Sequence, residues 1–229
     1  MINDKNSEQH NILKGYNMLL YFAGTMIMYE PSEECITDFW KEGILKKLPV
    51  SSLNPLFIRA ASQLRESCSD DSSSISAMGK DYRRLFSDND LAFAPIFESI
   101  YKSNFSPGES SMLTEVSEFY NSYGWMPKSR PRLKDDHLGI ELLFLTRLVE
   151  KYILLDDEAC RKEMRSEIRR FADQHLLSWI PEWYKRVQKN SLTLSYKGIS
   201  SLIYACVEDI YSILSGRNDL SYKPDLLKN

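Results

Sequence analysis

The sequence predicts an all-α protein, a compact single-domain bundle of roughly nine or ten helices, and three features carry that expectation. Apolar residues recur at spacings of three and four along most of the 229 residues, the spacing that lines one face of a helix. Only 9 glycines and 9 prolines interrupt the chain, too few for a fold of many short strands and turns. No segment alternates apolar and polar residues as a half-buried strand does. The single candidate, Ala92–Ile100, contains Pro95.

Each element has its own signal. Ser7 is a candidate cap for a first helix whose apolar set is Ile12, Leu13, Tyr16, Leu19, Leu20, Ala23, Met26 and Ile27, ended by Pro31. Ser32-Glu33-Glu34 opens a second through Ile36, Phe39 and Trp40. Asn54-Pro55 is a cap followed by proline at the first helical position, with Leu56, Ile58, Ala60, Ala61 and Leu64 as the body. Ser67–Ser74 is a small-residue polar loop. A helix follows from about Ile75 to Phe86, whereas Ser87–Pro95 does not read as helix. Met112, Val116, Phe119, Tyr120 and Tyr123 mark another that stops at Gly124. Trp125–Lys134, with Pro127 and Pro131, is a loop.

The second half is more regular. Asp135 or Asp136 starts an apolar helix through Leu142, Leu143, Leu145, Leu148, Val149 and Ile153. Asp156-Asp157-Glu158 places acids in the first turn of the next, as the helix dipole favours. Trp179, Trp183 and Val187 share a short helix with Pro181 in its first turn. Ile199, Leu202, Ile203, Cys206, Val207, Ile210 and Leu214 form the cleanest stripe, closed by Gly216. The expected organisation is one domain over residues 1–229, with the loop 124–135 joining an N-terminal and a C-terminal half.

Composition narrows the function classes. A formal net charge of −3 argues against nucleic-acid binding, which draws its affinity from a basic excess. The N-terminus is polar and mixed in charge, without a basic region followed by an apolar one, so no secretory signal is expected. The most apolar stretch, Leu138–Leu148, is interrupted by Glu141 and Arg147 and is too short to cross a bilayer, so no stable membrane insertion is expected. Cys35, Cys68, Cys160 and Cys206 are far apart and are expected to be reduced core thiols. The expected location is cytoplasmic.

The densest polar group is Lys134-Asp135-Asp136-His137-Leu138-Gly139-Ile140-Glu141. On a helix beginning near Asp135, His137 and Glu141 share a face. Such a set serves either as a metal or acid–base site, or as a helix cap with a partly buried carboxylate partner. With 3 histidines in all, no His-Asp dipeptide, no His-x-x-x-His pair, no Gly-x-Ser-x-Gly and no phosphate-binding loop, nothing in the chain calls for enzymatic chemistry. Lys128–Lys134 is a local basic patch with four cations, open to a phosphate or an acidic partner, or simply solvated. Tyr82, Leu85 and Phe86 at a helix end, and Phe97 and Tyr101 past Pro95, are either core or the apolar wall of a peptide cleft.

Taken in order, several segments resemble the TorD/DmsD/NarJ family of redox-enzyme maturation chaperones, closest in motif to the TorD/DmsD branch. They are Tyr82-Arg83-Arg84-Leu85-Phe86, Pro95-Ile96-Phe97-Glu98-Ser99-Ile100-Tyr101, Phe119-Tyr120 with Gly124, and Asp136-His137-Leu138-Gly139-Ile140-Glu141-Leu142. Phe171, His175, Leu176 and Trp179 complete the set. The resemblance spans about Tyr82 to Leu214.

It implies a cytoplasmic all-α chaperone, not an enzyme, without cofactor or metal of its own. Its partner would be the precursor of a molybdopterin-dependent oxidoreductase, bound through its twin-arginine leader, its apoenzyme or both, during cofactor insertion and before export. It implies a monomer or homodimer. The family's peptide-binding residues fall by motif on Tyr82, Leu85, Phe86, Phe97, Tyr101, Asp136 and His137, and Glu141 joins them as the neighbour on the same face. Asp136 would pair with an arginine of the leader. The competing reading is a helical hydrolase-like enzyme or a nucleotide-binding adaptor using Asp136, His137 and Glu141.

Overall fold

The computed structural model describes residues 2–69, 74–87, 92–102, 109–128 and 133–216. Among these it contains ten α-helices, one isolated β-bridge and no extended strand. The helices are α1 (Ile2–Met28), α2 (Glu33–Ile36), α3 (Pro55–Ser67), α4 (Ile75–Phe86) and α5 (Glu98–Lys102). They continue as α6 (Glu109–Ser122), α7 (Leu138–Leu154), α8 (Glu158–Phe171), α9 (Ile180–Asn190) and α10 (Leu194–Leu214).

The core is built around α10, which lies against α3, α1 and α9, while α1 also packs along α7. The α10 stripe expected from the sequence is buried throughout: Ile199, Leu202, Ile203, Val207 and Ile210 have no exposed surface. Each contributes about 2 kcal/mol by leaving water. Close approach needs small residues at the crossings. A Cβ on Gly198 would lie 2.7 Å from Leu64 of α3, and one on Gly139 would lie 2.2 Å from Met28 and 3.2 Å from the Gly24 carbonyl of α1. Polar ties fix the same contacts. Tyr16 donates to Asp209 at 2.8 Å, and Asn54 donates to Asp209 at 2.9 Å while capping α3 through Leu56 N–H.

Several ends follow the chemistry of the sequence. Gly124 adopts φ +59°, and Trp125 N–H reaches Tyr120 O while Gly124 N–H reaches Asn121 O, the paired bonds that close α6. Asp157 caps α8 through Cys160 N–H.

Four details differ from the sequence expectation. α1 starts at Ile2, so Ser7 lies inside it, because nothing before Ser7 breaks a helix. The second helix is α-helical only to Ile36 and then widens to a π-turn over Thr37–Lys41, which carries Trp40 into the core, where its Nε1 donates to Ser67 Oγ at 2.9 Å. α7 begins at Leu138 with His137 as its cap, not at Asp135 or Asp136. Cys160 is exposed on α8, so only Cys206 is a fully buried thiol, with Cys35 and Cys68 half-buried. Parts of the expected loops 67–74, 87–95 and 125–134, the last including part of the basic patch 128–134, lie outside the described residues. No described helix is long and apolar enough to cross a membrane.

Candidate functional site

The polar residues singled out in the sequence meet at the N-terminus of α7. After α4 the chain doubles back, and Phe93 and Ala94 N–H groups bond to the carbonyls of Arg84 and Leu85 at 3.2 and 3.0 Å. It then runs antiparallel to the segment before α7. Glu98 N–H donates to Asp136 O at 3.0 Å, and Leu138 N–H to Ile96 O at 2.9 Å, so Phe97 and His137 form the isolated bridge. The proline-bearing Ala92–Ile100 stretch is thus a one-bridge strap leading into α5.

His137 caps α7: its Nδ1 accepts from Gly139 N–H at 3.0 Å. Nδ1 is therefore unprotonated, and burial pushes the imidazole down to about 4. Asp136 Oδ2 accepts from Ser99 at 3.2 Å (N–H) and 2.6 Å (hydroxyl), and its carboxylate has no exposed surface. One turn into α7, Glu141 is equally enclosed, and neither of its oxygens accepts a bond from a donor group. Burial, then the nearby charges of Glu98 and Asp136, raises its carboxyl well above the ordinary range. A proton held on Glu141 accounts for both observations.

Glu98 is the hub. Its carboxylate lies 3.1 Å from His175 Nδ1 and accepts from Lys102, which also donates to the Gln174 carbonyl. His175 sits on the π-turn Ala172–Leu176, and its carbonyl accepts from Trp179 Nε1 at 2.7 Å. The network thereby ties the strap, α5, α7 and the segment after α8 together. Among the described residues, no group of His, Cys, Asp and Glu is arranged to hold a metal ion.

The aromatic residues divide. Leu85 and Phe86 are core: Phe86 packs on Tyr196 (5.4 Å between ring centres) and stacks on Trp183 (6.3 Å). Tyr82 is half-buried, edge-on to Phe86, with its hydroxyl on the Ile27 carbonyl at 3.4 Å. Phe97 and Tyr101 form the outer wall. Phe97 meets the His137 ring edge-on at 5.5 Å under the ammonium of Lys134. Tyr101 stacks on Trp179 at 5.1 Å beneath Arg186, its hydroxyl on the Pro95 carbonyl at 2.8 Å, and burial raises its phenol. Ile100 and Phe93 stand exposed beside them. Phe97, Tyr101, Asp136, His137 and Glu141 are thus one locality, to which Tyr82, Leu85 and Phe86 connect through the strap. Asp136, His137 and Glu141 face inward, beneath the aromatic wall.

Two features escape the sequence reading. Glu98 and His175 belong to the network, whereas the sequence reading names them only within the family motifs and gives neither a role. A second apolar surface, a groove of about 750 Å³, runs between α1, the C-terminal half of α7 and the π-turn after α2. Its trace in the sequence is Met18 and Tyr21, apolar residues off the α1 core stripe.

Residues 52–185, more than half of the chain, match the family model described as nitrate reductase delta subunit. The chain is also similar to the selenate reductase assembly chaperone protein of Thauera selenatis, at 30% identity over 93 residues. That match covers 39% of this chain, and the chain spans about half (48%) of the length of that relative.

Proposed function

The chain belongs to the nitrate reductase delta subunit family, the TorD/DmsD/NarJ group of redox-enzyme maturation chaperones, and from that premise we propose that it holds the precursor of a molybdopterin-dependent oxidoreductase during cofactor insertion. Membership in a chaperone family sets it apart from enzymes. The finer reading is that it works in the cytoplasm, as a monomer or homodimer, and grips the client's twin-arginine leader, its apoenzyme or both before export. No nucleotide or metal chemistry is needed at Asp136, His137 and Glu141 for this role.

The observation that carries the proposal is the strap. Phe97 and Tyr101 are half-buried on a segment whose underside is bonded to buried polar groups, Ser99 to Asp136 and Glu98 to His175. A rigid aromatic wall binds a peptide with little loss of side-chain freedom. On this reading Phe97, Tyr101 and the edge of Tyr82 touch the client. Leu85 and Phe86 form the floor beneath, and Asp136, His137 and Glu141 position the wall.

Calorimetric titration of the chain with the precursor's leader peptide tests it. Phe97→Ala is expected to weaken binding roughly tenfold, about 1.4 kcal/mol, through lost apolar contact. Asp136→Ala is expected to weaken it by about 1–3 kcal/mol while also lowering stability. Ser99→Ala separates the two roles open to Asp136. If Asp136 braces the strap, Ser99→Ala reproduces part of its binding loss; if Asp136 pairs directly with a client arginine, Ser99→Ala leaves binding unchanged. Wild-type binding by Phe97→Ala would place the client contact elsewhere.

A further inference from the structure

We propose that the groove between α1 and α7 is a second client-binding site, one that takes a short uncharged apolar segment of the polypeptide, separate from the aromatic wall of the strap. This rests on the chaperone reading, which supplies a polypeptide client.

α1 and α7 run antiparallel: Asn17 donates to the Thr146 carbonyl at 3.1 Å near the middle of α7, and Gly24 lies beside Gly139 and Leu142 at its start. The groove follows α1 from Lys14 to Met26, where Cys35 and Phe39 of the next segment close it. At 1.5 Å per residue this is about 18 Å, room for roughly twelve residues of helix or about five of extended chain. Met18, Tyr21 and Leu154 on its rim are 65%, 63% and 79% exposed, a cluster of large apolar side chains given to water. Isolated exposed apolar residues are ordinary, but a contiguous set lining one depression marks a binding surface.

The charges say what fits. Its lysine and glutamate, Lys14 and Glu150, sit together at the end where α1 enters and α7 finishes, and Glu150 is already paired with Arg147 at 2.7 Å. The rest of the lining is apolar or neutral, so a charged group along the body of an occupant would be desolvated without a partner. At the floor, Asn17 is 8% exposed and its Oδ1 accepts no bond, although its Nδ2 is held by Thr146. A buried acceptor without a donor favours an occupant that delivers one, such as a serine or threonine hydroxyl or a free backbone N–H. The occupant is therefore an apolar stretch with no charge and at least one small donor, and any charges it carries lie at its ends.

The test uses the full chain and a fluorescein-labelled peptide of about twelve Leu, Ala and Ser residues with lysines only at its ends, followed by fluorescence anisotropy. Wild type is expected to bind it, and Met18→Glu and Tyr21→Glu, both at exposed positions, to bind at least tenfold more weakly. Leu192→Glu, an exposed apolar position outside the groove, is expected to bind like wild type. Replacing every Ser by Ala in the peptide should weaken binding to wild type several-fold and leave binding to Asn17→Leu unchanged. Equal binding by Met18→Glu and wild type, or no binding by wild type, overturns the proposal. So does light scattering that shows a dimer split by Met18→Glu, because the occupant would then be a second copy of the chain. Pull-down of the oxidoreductase precursor separates this proposal from the broader one. If wild type and Met18→Glu capture it equally and Phe97→Ala does not, the groove proposal fails and the chaperone reading stands. If wild type captures none, the chaperone reading fails, and the peptide titration alone judges the groove.

Discussion

His137 should make the protein acid-labile, and its effect can be isolated. The imidazole is 1% exposed, accepts a backbone N–H at the start of α7, and is pushed by burial from its ordinary 6.5 to about 4. A group whose folded pKa is depressed contributes stability that is present above its unfolded pKa and is lost as pH falls towards the folded one. The window here is therefore pH 6.5 down to about 4. Two and a half units at 1.36 kcal/mol each give about 3 kcal/mol, most of it gone by about pH 4.5. His137→Asn keeps a side-chain acceptor suited to a helix cap and removes the titration. Urea unfolding of both proteins at about pH 7.5 and pH 4.5 gives the pH dependence of each. The absolute stability of the variant will fall because its contact with Phe97 is lost, but that loss is present at both pH values and cancels. Wild type is expected to lose about 2–3 kcal/mol more than the variant over the interval. Equal losses would mean that protonation of His137 costs nothing, and that the imidazole is either solvated or free to leave the cap.

Glu141→Gln should show the opposite dependence. The raised folded pKa of Glu141 contributes stability that is present below its unfolded value and is lost as pH rises, so the variant should gain on wild type as pH is raised from about 4.5; parallel curves would mean that Glu141 is not held protonated. Asp81→Ala should destabilise the fold by about 2–4 kcal/mol in urea, because the buried carboxylate accepts from Ser191, Leu192 and Thr193 at the turn joining α9 to α10; a change below about 0.5 kcal/mol would sink that account. Gly139→Ala forces α1 away from α7 and should lower stability by about 1–3 kcal/mol with little change in helical circular dichroism.

What was legible in the sequence was what local chemistry decides. Asn54-Pro55 starts α3, Gly124 ends α6 and α4 occupies Ile75–Phe86, because caps, prolines and a left-handed glycine act within a few residues. The candidate site was only half legible for the same reason. Asp136, His137 and Glu141 stand out as a run, and their run suggests groups facing a ligand. Their orientation depends on partners distant in sequence, Ser99 for Asp136 and, beside Glu141, Glu98, which is itself held by His175. Helical periodicity describes one helix at a time and carries no information on which helices meet, so it registers Glu98 and His175 as ordinary polar positions.

The same limit explains the groove. The stripe over Leu13, Tyr16, Leu20, Ala23 and Ile27 accounts for the buried face of α1, which leaves Met18 and Tyr21 as surplus apolar residues on what should be a solvated face. A helix as long as α1 needs only one apolar stripe to dock in a bundle. A second apolar set that the fold leaves exposed is not needed for docking in the bundle, and the groove proposal assigns it to contact with a client. The aromatic wall and the groove then differ in what they require. The wall depends on a buried, titratable network and should weaken in acid as His137 protonates. The groove, lined by α1, the end of α7 and an uncharged floor, has no such dependence. Leader binding and apolar-peptide binding measured on one preparation at about pH 7.5 and at about pH 4, where His137 protonates in the folded protein, should therefore separate, the first falling and the second holding. If both fall together, the two surfaces are one cooperative unit, and the network around Glu98 governs them both.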